Sequence, residues 1–161
     1  MNTKTLYQTL FAYHWHTHSR LFELAAQLSE ADYKQNPGYG QGSIHDLFFH
    51  TMRALNSWRE GLETGKRLSP YKAEDFPTYG ALNTSFQQEQ TAWQALLDRL
   101  SEEEIEGDVR LTTRSGEIVA IPRWRVLQHL VLHGMQHHTE LAYLLTLKGK
   151  SPGDIDFIFF K

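Results

Sequence analysis

Cysteine is absent from the 161 residues. That excludes a disulfide framework, and it excludes thiolate as a metal ligand or as a nucleophile of the chain itself. Any thiol taking part in chemistry has to arrive with a substrate or cofactor. No stretch approaches the roughly 18–20 apolar residues that a membrane-spanning helix needs. Residues Met1 to Leu10 carry Lys4 and polar side chains where a signal peptide would have an apolar run, so the expected location is the cytoplasm. An excess of positive charge is missing too: the net charge is −3 with histidines neutral, which gives no overall pull toward nucleic acid. Arg110, Arg114, Arg123 and Arg125 form a local basic cluster that reads as a solvated edge near a turn. There is no internal repeat and no low-complexity segment. With 40% hydrophobic and 22% charged residues, the chain suits one globular domain over 1–161.

The apolar pattern is mainly helical. Leu6, Leu10, Thr17, Leu21, Leu24 and Leu28 recur at spacings of three, four or seven, which predicts a helix from Thr3 to about Leu28. Ser29-Glu30-Ala31-Asp32 leads out of it, and Asn36-Pro37-Gly38-Tyr39-Gly40 with Gly42 predicts a loop. Ser43 reads as an N-cap with Asp46 in the capping-box place. The second helix then carries Ile44, Leu47, Phe48, Leu55, Trp58 and Leu62 and ends near Thr64-Gly65. A third is expected from about Leu82 to Leu100.

Between Gly107 and Ile121 the period changes to alternation. Val109 and Leu111, then Val119 and Ile121, flank Arg114-Ser115-Gly116, which predicts a short β-hairpin. Pro122 suits the first position of a fourth helix that runs to about Lys148 and stops at Gly149. The fold expected is all-α, a four-helix bundle with a hairpin between helices three and four. The tail Phe157-Ile158-Phe159-Phe160 is expected to pack back on the bundle.

What the sequence does have is histidine. Nine are present, in clumps: His14, His16 and His18; His45 and His50; His129, His133, His137 and His138. In the fourth helix His133 and His137 share a stripe with Val126, Leu130, Leu141 and Leu144. Residues four apart differ by only about 40° around a helix axis, so both imidazoles lie on the apolar face. Such a pair can chelate one metal; the same spacing also fits two hydrogen-bonded core histidines. Gly134 costs a helix roughly 1 kcal/mol, which makes sense where something approaches the backbone closely. His50 lies on the inner face of the second helix, and facing helices of a bundle can supply ligands to one ion. Three imidazoles leave a tetrahedral ion one position for water or substrate.

Several segments together resemble the DinB/YfiT-like superfamily of metal-dependent enzymes. They are Leu10-Phe-Ala-Tyr13-His14-Trp-His-Thr-His18-Ser-Arg20-Leu21; Ser43-Ile-His-Asp-Leu-Phe-Phe-His50 with Trp58 downstream; Leu130-Val-Leu-His133-Gly-Met-Gln-His137-His138-Thr-Glu140-Leu141; and Gly149-Lys-Ser-Pro152-Gly153-Asp154-Ile-Asp156-Phe157. The resemblance covers nearly the whole chain. It implies an up-down-down-up bundle, frequent dimers, and His50, His133 and His137 as metal ligands. This chain departs from the family in two places. His138-Thr139-Glu140 stands where relatives often have Arg-Gly-Gln, and His14 and His18 stand where asparagines are common.

The resemblance also implies an activity. One divalent ion, zinc or nickel, would lower the pKa of a water or of an external low-molecular-weight thiol, for attack on a small electrophilic substrate. That describes a transferase; a metal-dependent hydrolase and a non-catalytic metal-binding stress protein are the alternatives. Glu140, three residues after His137, is a candidate partner of that ring or a general base. Asp46, four before His50, is a candidate to orient that imidazole. His14 and His18 could add a ligand or line the pocket. Trp15, Trp58 and Trp93 on amphipathic helices add to the expectation of a homodimer.

Overall fold

A computed structural model describes residues 2–113 and 115–161. Arg114, assigned from sequence to the hairpin turn and the basic cluster, lies outside them. Among the described residues there are six helices and one two-stranded sheet: α1 Thr3–Ala25, α2 Glu30–Lys34, α3 Ile44–Thr64, α4 Tyr79–Arg99, α5 Glu102–Glu106, β1 Asp108–Thr112, β2 Ile118–Pro122 and α6 Arg123–Leu147.

The four long helices form the bundle, and side-chain pairings give their directions. Tyr7 donates to the Trp124 carbonyl while His18 meets His138, so α1 and α6 are parallel. Trp58 meets His129 and His50 meets His133, so α3 is antiparallel to α6. Asn56 reaches Glu89 and Glu63 reaches Arg99, so α3 and α4 are parallel. The arrangement is up-down-down-up, with the crossover 65–78 returning the chain between α3 and α4.

Local signals explain the helix ends. Ser43 and Asp46 form the reciprocal capping box of α3: Asp46 Oδ2 accepts from the Ser43 backbone and hydroxyl at 2.9 and 2.7 Å. Gly65 ends α3 in the left-handed region, at φ 76°. Its carbonyl accepts from the Thr112 amide at 2.8 Å, which ties the hairpin to the end of α3. The hairpin pairs Val109 with Ile121 and Leu111 with Val119, and Val109 and Leu111 are buried.

Three details differ from the sequence expectations. Ser29 caps a separate short helix, α2, where only a lead-out was expected. α4 begins at Tyr79 because the Thr78 side chain caps it. Pro122 ends β2 and precedes α6, its fixed φ serving strand and helix entry alike. The tail meets α1 through Tyr13, whose ring packs on Phe157 and Phe160 at 5.1 and 5.6 Å. Ile158 and Phe159 nevertheless stay exposed.

Trp93 is fully buried, stacks on Phe11 at 5.0 Å and donates to the Leu55 carbonyl. Trp15 is buried beside Phe86. These two tryptophans complete the monomer core, so they supply no surplus apolar surface for a dimer.

Between α3 and α4 lies a buried ion pair. Glu89 accepts from Arg59 Nε at 2.6 Å and Nη2 at 3.2 Å, and from Asn56 at 3.2 Å. Glu63 bridges Arg59 and Arg99. Removing one partner of a buried pair leaves an uncompensated charge in low dielectric. Arg59→Ala is therefore expected to destabilise the fold by about 3 kcal/mol in urea denaturation. A loss below ~0.5 kcal/mol would mean that Glu89 is solvated without Arg59.

Candidate metal centre

His50 lies in the second turn of α3 and His133 and His137 in the middle of α6, where the two helices meet as antiparallel neighbours. The Nε2 atoms of His50 and His133 are 3.1 Å apart, and those of His137 and His133 are 3.2 Å apart. Two imidazole nitrogens on one tetrahedral ion, each about 2.0–2.1 Å from it, are separated by about 3.3 Å. Both of these pairs thus already stand at close to that spacing, and all three ligand nitrogens lie within 4.8 Å of one another.

Glu140 sets the protonation of His137. Its Oε2 is 2.9 Å from His137 Nδ1. A carboxylate can only accept, so Nδ1 carries the proton and a neutral ring turns its lone pair inward at Nε2. His137 is buried, whereas His50 and His133 are half-buried. Burial first, then repulsion from His137, His50 and His129, pushes His133 down to about 4. His50 is lowered by burial first, then by His137 and Arg53, with Glu140 pulling the other way. Both rings are therefore held in the neutral form that a metal requires.

Two cavities lie near the trio, neither of them lined by its three histidines. The His129 ring is 5.5 Å from that of His133 and 5.4 Å from Trp58. Trp58 in turn lines a cavity of about 510 Å³ with Lys66 and Arg67. The Arg67 guanidinium sits 3.5 Å over the Trp58 ring. On the other side, Glu140 lines a cavity of about 240 Å³ with Tyr39 and Tyr143.

The remaining candidates are placed differently. Asp46 is engaged by Ser43 in the helix cap, and its other oxygen is 3.6 Å from His45 Nδ1; its structural partners are these. His45 is buried with Nε2 2.7 Å from the Phe76 carbonyl. His16 is exposed. His14 and His18 are buried and meet His138 in a second cluster, with His14 near enough to His133 to feel its charge: His18 Nδ1 is 3.3 Å from His138 Nε2, and the His14 and His138 rings are 4.7 Å apart.

His138 entered the sequence reading only as a departure from the family's pattern, and His129 had no role there. The signal for His138 was the tandem His137-His138: neighbours on a helix point about 100° apart, so each faces a different partner helix. The group that approaches Gly134 is the His14 ring, because a Cβ at 134 would overlap its Nδ1 and Cε1.

With this geometry in view, the family can be assigned. The model of the DinB family matches residues 1–161. The chain belongs to the DinB family. Its fold is similar to the crystal structure of a conserved protein from Enterococcus faecalis, with TM-score 0.67 and 19% identity over 91% of this chain and 97% of that one. It is also similar to a DinB-like protein, YjoA, from Bacillus subtilis, with TM-score 0.63 and 17% identity over 87% and 92%. Among curated proteins none matches. No helix among the described residues is long and apolar enough to cross a membrane.

The contact at Gly134 makes a prediction. Alanine normally gains roughly 1 kcal/mol over glycine inside a helix. Here Gly134→Ala is expected to destabilise the protein by about 1–3 kcal/mol, because the buried His14 ring cannot retreat. In a His14→Ala background the same change becomes neutral or stabilising. Urea denaturation of the four proteins completes the cycle, and an equal cost in both backgrounds would refute the contact.

Proposed function

We propose that this DinB-family protein is a metal-dependent enzyme that holds one divalent ion, zinc or nickel, on His50, His133 and His137 and acts on a small electrophilic substrate. The observation that carries the reading is the convergence of the three Nε2 atoms, with successive pairs 3.1 and 3.2 Å apart, one of them on a ring oriented by a carboxylate. The ion, when bound, lowers the pKa of a water or an external low-molecular-weight thiol.

The residues of the chain supply the rest. Glu140 Oε2 accepts the His137 Nδ1 proton and so raises the basicity of that ligand. Glu140 is also partly exposed and lines a cavity, which suits it to accept a proton from an incoming nucleophile. The 510 Å³ cavity beyond His129 is within the size of small-molecule sites. Trp58 offers an apolar wall there, and Lys66 and Arg67 offer positive charge to an anionic substituent. Because the chain has no cysteine, a thiol nucleophile would be a second substrate, and transfer to it is the reaction we favour. Water in its place gives the hydrolase. The reaction is assigned to the cytoplasm.

Replacing His50, His133 or His137 by alanine is expected to remove one equivalent of metal, whereas His16→Ala leaves metal content unchanged. Glu140→Gln is expected to weaken metal binding by about 10–100-fold while keeping the three ligands. Mass spectrometry of untagged protein reads each result. Equal metal content in His133→Ala and wild type would overturn the ligand assignment. Turnover of electrophiles with and without added thiol separates transferase from hydrolase, and no turnover of metal-loaded protein in either arm refutes the enzyme reading.

We assign a symmetric homodimer to the same protein, on a different surface from the one the tryptophans suggested. Leu132, Tyr143 and Leu147 on the outer side of α6 are 60%, 56% and 63% exposed. Sedimentation is expected to show a dimer at micromolar concentration that Tyr143→Glu dissociates; monomer alone in the wild type would refute it.

A further inference from the structure

We propose that His14, His18 and His138 form a second metal site, closed to substrate, that holds a copper(I) ion. The three side chains are 3%, 0% and 0% exposed. One ring nitrogen from each lies within 4.8 Å of the others, and the nearest pair is 3.3 Å apart. A shift of roughly an ångström would bring all three to the separation of nitrogens sharing one ion.

Hydrogen bonding within the cluster cannot satisfy it. Three neutral imidazoles carry three N–H groups and three lone pairs. The contact between His18 Nδ1 and His138 Nε2 uses one of each. Among the described residues, His14 Nε2, His18 Nε2 and His138 Nδ1 are buried with no hydrogen-bond partner. An unpartnered buried polar group costs about 1–3 kcal/mol, and a folded core keeps few of them. An ion would take one lone pair from each ring, drawing on the close pair His18 Nδ1 and His138 Nε2 in place of their mutual hydrogen bond, while the N–H groups on the opposite nitrogens of those two rings stay unpartnered.

The surroundings select the ion. His18 stacks face to face on Phe86 at 3.4 Å and also contacts Phe22 and Phe48. His14 packs on Phe11 and Trp15. No carboxylate among the described residues hydrogen-bonds to any of the three rings. The desolvation cost of an ion in an apolar medium rises with the square of its charge, and three neutral donors offer no counter-charge. A divalent ion is therefore disfavoured there. Copper(I) is monovalent, and imidazole is among the ligands that suit copper. Placed in the core with no open side, it would stabilise the bundle where α1 meets α6. The site shares no residue with the trio and does not require a metal at His50, His133 and His137.

The test uses full-length, untagged, metal-free protein carrying His133→Ala, so that the trio is already broken. It is titrated anaerobically with copper(I) and, separately, with zinc, each buffered by a competing chelator. Native mass spectrometry is expected to show one copper(I) retained. X-ray absorption is expected to show nitrogen-only coordination, and the melting temperature should rise with copper concentration by mass action. Adding His138→Asn is expected to abolish both the bound copper and the melting shift. His14→Asn in the same background is a second route to the same loss, and circular dichroism checks both variants for a loosened core through their helix content. No copper(I) bound to His133→Ala, or copper persisting in His133→Ala/His138→Asn and His133→Ala/His14→Asn, would overturn the site. Zinc bound there in place of copper(I) would overturn the charge argument. The outcome is distinguishable from failure of the trio, in which wild type and His133→Ala carry the same metal.

Discussion

The close approach of α1 to α6 over Gly134 is the constraint on which the interior depends. A ring as large as imidazole seats on a helix backbone only where no Cβ stands in its way, and His14 occupies that place. With α1 drawn in, Phe11 and Trp15 reach Trp93 and Phe86 of α4, and His18 reaches His138. The two helices run parallel, so their chain ends lie at the same end of the bundle and need no short connection. Side-chain fit at one glycine therefore does what a tight turn does for antiparallel neighbours.

Six imidazoles then share one layer of an otherwise apolar bundle. Imidazolium is costly to desolvate, so burial favours the neutral form of five of them: His14 is pushed down to about 3 and His133 to about 4, chiefly by burial, His50 is lowered, and His18 and His138 lie well below their ordinary value. Neutral imidazole is amphoteric, with one donor and one acceptor. A layer of such rings therefore depends on what fixes each tautomer. Glu140 fixes His137, and the Phe76 carbonyl fixes His45 outside the layer. His14, His18 and His138 have no such anchor.

Much of this was legible in the sequence, and the residues show why the rest was not. Spacing by four put His133 and His137 on one apolar face, and the Ser43–Asp46 box marked the start of α3, because both are short-range properties of a helix. Alternation at Val109–Leu111 and Val119–Ile121 gave the hairpin for the same reason. Asp46 was ambiguous: a carboxylate at the N3 position is also one turn from His50, and only the folded chain shows that Ser43 engages it. The Arg59–Glu89 pair could not be read, since it joins residues 30 apart across a crossover whose direction no local pattern encodes. The tryptophans misled because amphipathic spacing does not say whether a bundle is large enough to bury them. His14 and His18 were visible as a pair, but which histidine they meet depends on α1 and α6 being parallel.

The layer divides along α6. His133 and His137 form one stripe, and Gly134 and His138 form another, one residue and so about 100° further round. The first stripe faces α3, is half-buried at His133, and has within reach Glu140, which lines a cavity. The second faces α1, is closed by aromatic rings and has no carboxylate hydrogen-bonded to its histidines. Charge follows water in this arrangement: a carboxylate is cheap to keep where solvent screens it and costly where only Phe22, Phe48 and Phe86 surround it. Adjacent histidines of one helix are thus placed in two different media, and it is the medium, set by which helix each stripe meets, that decides what charge each set of nitrogens can hold.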